Sequence, residues 1–145
     1  MTDKNFNFWV SYLKFISLFF AAMGVMWAVV GSFDPFGIYD SYFAQAFWGL
    51  DQLPAHVDRA KRFILGPFGA TCAGYFTIQY FVARYAYAKK ELWGYNAIVS
   101  GFLIWFINDC IMTIYHGAYF NLLLANLPSF LMMIPIVFTR KYFVK

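Results

Sequence analysis

The stretch from Ser100 to Gly117, SGFLIWFINDCIMTIYHG, constrains this chain more than any other. It is apolar enough to cross a bilayer, yet Asn108 and Asp109 sit side by side within it. A carboxylate at the centre of a membrane helix costs about 2.5–3.5 kcal/mol on insertion scales, so it requires a partner or a task. Composition points to the same solvent. Of the 145 residues 62% are hydrophobic and 24% aromatic, and only 12% are charged; a soluble domain carries about a quarter charged. The net charge of +4 is small and dispersed, which argues against a nucleic-acid partner and fits charges gathered at membrane borders. Cys72 and Cys110 both lie inside apolar runs, and without a Cys-x-x-Cys motif a quinone-coupled disulfide oxidase is not expected.

Read in order, the chain is one all-α transmembrane domain over 1–145, with spans at about 15–30, 63–83, 96–115 and 119–139 and an outer loop over 31–62. Lys4 and Lys14 ahead of Phe15–Val30 imitate a signal peptide. However, Met26-Trp27 lie late in the apolar core and no small-x-small cleavage pattern follows, so the segment reads as a retained first span. Phe6, Phe8, Trp9 and Tyr12 form an interfacial lead-in, and Pro35 after Asp34 stops the helix. Within the outer loop, Phe43, Ala44, Phe47 and Trp48 recur at helical spacing and predict a short amphipathic helix over Tyr39–Leu50. Asp58 and Arg62 stand four residues apart at the head of the second span, whose Gly66, Ala70 and Gly74 make a smooth stripe for close helix approach. The short link His116-Gly117-Ala118 predicts an antiparallel hairpin of the third and fourth spans. Pro128 and Pro135 predict a bent fourth span whose freed carbonyls need local partners.

Basic residues set the expected orientation. Lys4, Lys14, Arg84, Lys89, Lys90, Arg140, Lys141 and Lys145 fall on one side, whereas the long loop mixes Arg59, Lys61 and Arg62 with Asp34, Asp40, Asp51 and Asp58. The positive-inside rule then places both termini in the cytoplasm (N-in/C-in) and the first loop outside, in a multi-pass protein of the inner, cytoplasmic membrane.

From Phe63 to Phe143 the chain carries Gly69-Ala-Thr, Arg84 with Lys89-Lys90, Trp105-Phe-Ile-Asn-Asp109, His116-Gly-Ala-Tyr-Phe-Asn121 and Thr139-Arg140. In these it resembles a group of small bacterial four-span integral membrane proteins to which no activity is assigned. The resemblance implies a four-helix membrane bundle and no mechanism.

Depth arithmetic singles out a polar layer. At 1.5 Å per residue, Asp109 lies roughly 10 Å below His116, and Asn126 roughly 12 Å below Ala118 on the returning helix. Thr71 falls at a similar level on the second span. Asp109, Thr113 and His116 share a face. The expected site is a polar pocket with Asp109 and Asn126 as floor, His116 and Asn121 as rim, and Asn108, Thr113 and Thr71 nearby. The competing reading is that these polar groups only glue the hairpin, at about 0.6–2 kcal/mol per contact. The spacing of His56 and His116 is not that of metal ligands, so neither a metal nor a cofactor is expected.

Three functional readings suit these residues. The leading one is a non-enzymatic four-helix bundle that binds a lipophilic small molecule or lipid, or serves as an accessory subunit beside other membrane subunits. The second is a membrane-embedded lipid-modifying enzyme, isomerase-like, with Asp109 as acid. The third is a small proton-coupled transporter, acting as a homodimer, with Asp109 as the coupling acid.

Overall fold

The computed structural model describes residues 3–31, 34 and 36–144, the side chain of Asp3 excepted. The expected stop at Pro35 and the cation Lys145 fall outside the described residues. Five helices account for nearly all of the chain: α1 (Asp3–Val30), α2 (Ile38–Trp48), α3 (Ala55–Tyr85), α4 (Leu92–Tyr115) and α5 (Tyr119–Tyr142). No strand occurs among the described residues. A chain this apolar has to satisfy its backbone within each segment, and helices do so without a partner.

Among the described residues three helices are long and apolar enough to cross a membrane: α1 over Lys4–Val30, α4 and α5. Four such spans were expected, and the second of them, 63–83, lies within α3. There Gly66, Gly69, Gly74, Thr71, Thr77 and Gln79 dilute the apolar run, and α3 does not join the other three. The apolar side chains of the three helices point largely outward. Ile104, Ile107 and Ile111 on α4 and Leu123 and Leu131 on α5 are more than half exposed, the arrangement expected of a lipid-facing surface.

α1 and α3 pair antiparallel along their whole length. Gly31 meets Arg62 at one end, Gly24 meets Gly69 and Ala73 in the middle, Ser17 meets Gln79 further on, and Phe6 stacks on Tyr87 at the other end. At the crossing the backbones touch: a Cβ on Gly69 would lie 2.6 Å from the Ala28 nitrogen, and one on Gly24 would lie 2.5 Å from the Ala73 nitrogen. Of the small-residue stripe predicted from Gly66, Ala70 and Gly74, Gly66 faces α1, a Cβ there lying 3.7 Å from the Ala28 carbonyl oxygen, but Ala70 is exposed and a Cβ on Gly74 would meet nothing within 4 Å. The close contact is made instead by Gly24, Gly69 and Ala73.

The buried core gathers at the end that holds both chain termini. Phe6, Leu13, Tyr87, Tyr95, Ile136 and Phe143 belong to it, with Phe6 sandwiched among Tyr87, Tyr142 and Phe143 at ring distances of 5.5, 5.0 and 5.7 Å. Here hydroxyls bind the carbonyls of a helix that two prolines interrupt. Tyr12 donates to the Met132 carbonyl and Tyr95 to the Val137 carbonyl, each at 3.0 Å. Tyr87 donates to Thr139 Oγ1 at 2.7 Å, and Thr139 in turn donates to the Ile136 carbonyl. The Tyr12, Tyr87 and Tyr95 bonds tie α1, the α3–α4 link and α4 to the last turns of α5.

Candidate functional site

The opposite end is built from the α4–α5 hairpin and α2. The hairpin turns at Gly117, whose φ of 68° is a left-handed conformation that side chains with a Cβ resist. Ala118 N–H reaches back to the Thr113 carbonyl at 2.9 Å to close the turn. Beyond it, α5 is not regular. Over Leu122–Asn126 the helix widens into a π-turn, with Leu127 N–H bonded to the Leu122 carbonyl five residues back. Pro128 is the physical cause: it has no N–H to offer the Leu124 carbonyl, and the backbone re-pairs one residue further along.

The widening assembles the polar cluster. In a regular α-helix five residues leave two side chains about 140° apart around the axis. The extra residue of the π-turn swings Asn126 towards the face of Asn121, and Asn121 Nδ2 lies 3.2 Å from Asn126 Oδ1. The same nitrogen donates across the hairpin to Asp109 Oδ2 and to Thr113 Oγ1, both at 3.0 Å. Asn126 Nδ2 donates to Cys110 Sγ at 3.0 Å, and Asn126 is 2% exposed. Asn121, expected on the rim, is thus the hub, and Asp109 and Asn126 are joined through it.

Of the residues singled out in the sequence, Asp109, Thr113, Asn121 and Asn126 come together. Three do not. Asn108 is exposed and turns back to the Ile104 carbonyl at 2.7 Å, on another face from its neighbour Asp109. His116 is exposed past the helix end, edge-on to Tyr115 at 5.0 Å. Thr71 is exposed on α3 and bonds to the Pro67 carbonyl at 2.9 Å. Equal depth placed these residues on one level, but depth does not fix the angle around the helix axis.

Two contributors escaped sequence reasoning. Cys110 reads there as an inert thiol, and only the π-turn aims Asn126 at it. Tyr39 reads as the start of a surface helix. In the structure its ring meets Phe120 edge-on at 5.2 Å, and Tyr42 stacks on the same ring at 6.2 Å, so α2 lies against the hairpin. Burial pushes the Tyr39 phenol above its ordinary value, and the charges of Asp109 and then Asp40 push it further, which puts Tyr39 in the field of the cluster.

α2 is held in place by charge. Asp34 caps its first turn, accepting from Ile38 N–H at 3.0 Å and Asp40 N–H at 2.8 Å. The buried Lys61 ammonium on α3 sits 2.6 Å from Asp40 Oδ1 and 3.3 Å from Asp58 Oδ1. The Asp58–Arg62 pair expected four residues apart forms at 2.8 Å, and the Arg62 guanidinium, ahead of Lys61, holds the Asp58 carboxyl below its usual range.

Between α2 and the hairpin lies a groove of about 420 Å³, walled by Tyr42, Gln45, Gly117, Phe120, Leu123 and Leu124. That volume is within the range of small-molecule sites, roughly 300–1,000 Å³, and the mainly apolar lining, with the Gln45 amide and the Tyr42 and Tyr119 side chains, suits a lipophile. The polar cluster is less suited to chemistry. The network ties α4 to α5, because the Asn121 amide lies within hydrogen-bond reach of Asp109 Oδ2, Thr113 Oγ1 and Asn126 Oδ1 and its two hydrogens are shared among them.

Comparison with protein-family models, with curated proteins and with solved structures finds no match. The resemblance to small bacterial four-span proteins therefore brings no activity to these residues.

Proposed function

We propose that the protein is a four-span membrane module that holds a lipophilic molecule, or the tail of a lipid, in the groove between α2 and the α4–α5 hairpin. The observation that carries this reading is the mounting of α2. A short helix is capped by Asp34, anchored by Lys61 and set against Phe120, and it forms one wall of an open groove whose other wall is the hairpin. The cluster around Asn121 supplies the rigidity of the opposite wall. Its hydrogen bonds across the hairpin support the lock reading of Asp109 over acid catalysis or proton coupling.

The fourth span is α3. Its apolarity is modest, but it lies beside α1 from Gly31 to Phe6, so a bilayer crossed by α1 contains α3 as well. With four spans both termini share a side. The excess of Lys and Arg there makes that side the cytoplasm of a cell membrane, and α2 faces out.

Native mass spectrometry of gently extracted protein tests the ligand reading. The expected result is a retained adduct of lipid-like mass that is lost in Leu123→Trp, a substitution that fills the groove. Bare protein in both forms would overturn it. Cysteine labelling in a background lacking Cys72 and Cys110 tests the topology: Asp51→Cys should react with an impermeant maleimide in intact cells, and Lys4→Cys only after permeabilisation.

A further inference from the structure

Asn108 is a polar residue that neither the cluster around Asn121 nor the α2 groove employs. It is exposed, and at 1.5 Å per residue it stands roughly 10 Å before the end of α4 at Tyr115. One of its amide hydrogens is donated to the Ile104 carbonyl at 2.7 Å. An amide also has a second N–H and a carbonyl oxygen, and neither is bonded among the described residues.

The other two apolar helices present no such group. Every exposed residue of α1 from Phe15 to Val30, and of α5 from Leu122 to Phe138, is apolar. Those faces suit hydrocarbon, whereas an amide with a donor and an acceptor unmet does not. Polar side chains in membrane helices turn towards another helix and bond across to it. Within this chain the Asn108 amide bonds only to its own helix.

The residues around Asn108 are those of a helix seam. Ala97, Gly101, Ile104, Asn108, Ile111 and Tyr115 follow one another in alternating steps of four and three. Ile104, Ile111 and Tyr115 are more than half exposed, and Ala97 is exposed. Gly101 is the position nearest α3, where a Cβ would lie 2.6 Å from the Tyr75 hydroxyl. No charge stands on this face, because Asp109, the one carboxylate of α4, is bonded to Asn121 in the hairpin.

We propose that α4 pairs with α4 of a second copy of this chain, the Asn108 amide bonding to the partner's Asn108. Two copies inserted with the same orientation are related by a twofold axis along the membrane normal. Their α4 helices then run parallel and equal residues lie at equal depth. An amide both donates and accepts, so it is its own complement, and an uncharged seam gives a copy nothing to repel. A single asparagine at a seam position fixes register and the number of helices in the same way in coiled coils. The pairing does not depend on what the α2 groove holds.

The test uses the full chain in a background lacking Cys72 and Cys110, reconstituted in phosphatidylcholine vesicles over a range of lipid dilutions. Subunits are counted by single-molecule photobleaching of a label on Lys4→Cys, and dimers are expected. Asn108→Leu should lower the association constant about tenfold, the factor for loss of interhelical amide bonds in a bilayer, while the melting temperature of the dilute monomer stays unaltered. Asn108→Gln keeps both polar groups and should remain dimeric. Oxidation should cross-link Ile111→Cys between copies but not Leu131→Cys, which is as exposed but lies on α5. That comparison decides the face even if Asn108→Leu fails to fold. Three results would each overturn the proposal: a monomer at every dilution, which would leave the seam to lipid; an association constant unmoved by Asn108→Leu; or equal cross-linking of Ile111→Cys and Leu131→Cys.

Discussion

The two ends of the molecule solve the same problem differently. The terminal end is held by apolar packing: Phe6, Tyr87, Tyr142 and Phe143 pack ring on ring, and most of the hydrophobic core lies there. The α2 end is strung together by polar groups, with Asn121 bridging the hairpin and Lys61 tethering α2. Packing stabilises through buried area, whereas directed polar contacts hold walls at fixed spacing. A molecule that is both durable and receptive needs the two kinds of contact in different places.

The contrast can be broken experimentally, and the largest effect should come from the packed end. Phe6→Ala removes the ring at the centre of the stack and should cost about 3–5 kcal/mol, read as a fall in detergent-solubilised melting temperature. An effect below that of Lys61→Gln would show that the terminal end is not the stabilising one. Lys61→Gln leaves Asp40 and Asp58 without their shared cation. Asp40 and Asp58 remain about one-third exposed, so a loss of about 1–3 kcal/mol is expected, between the values for exposed and buried pairs. Its signature is local: protease sensitivity between α2 and α3 should rise while the terminal aromatic signal persists.

Opposite extremes of pH should separate the ends further. Asp58 is held below its ordinary value, first by its bond from Arg62, so the folded state binds that proton more weakly than the unfolded chain. Its contribution is complete above about pH 4 and is lost as pH falls through the lowered folded value. Tyr87 runs the other way. Burial pushes its phenol up to about 12, against the smaller lowering effect of its bond to Thr139. The folded state holds that proton more tightly, and stability is lost as pH rises from about 10 towards 12. Hydrogen exchange should therefore show the first turns of α3 opening first in acid and the terminal aromatic core first in alkali; the reverse order would contradict the assignment.

The smallest effect should come from Asp109→Asn. The Asn121 amide keeps an oxygen to donate to, and its bonds to Thr113 and Asn126 are untouched, so the loss should stay within about 1 kcal/mol. Retention of a lipid-like adduct should not change. A collapse of function with an intact fold would restore the acid-dependent readings.

How much of this was legible in advance differs between helices. Composition and apolar runs indicate helices across a bilayer, because nothing else satisfies a backbone there. The amphipathic spacing of Phe43, Ala44, Phe47 and Trp48 marks α2, and the short link at Gly117 marks the hairpin. α3 was legible as a helix but not as one of the apolar three, since its glycines, threonines and Gln79 trade apolarity for close contact with α1. The polar layer was legible as residue types and depth, which gathered Asp109, Thr113, Asn121 and Asn126. Depth also drew in Asn108, His116 and Thr71, which the structure leaves elsewhere.

By itself, then, the sequence determined the apolar character, the helices and the position of the polar groups along them, since these depend on hydropathy and on rise per residue. Only the tertiary structure decided which of those groups meet. One widened turn before Pro128 rotates Asn126 onto Asn121, and one buried lysine ties α2 to α3 while Phe120 seats it on the hairpin, leaving an open groove between them. Rotation about a helix axis and contacts between distant segments depend on packing, and no linear spacing records them.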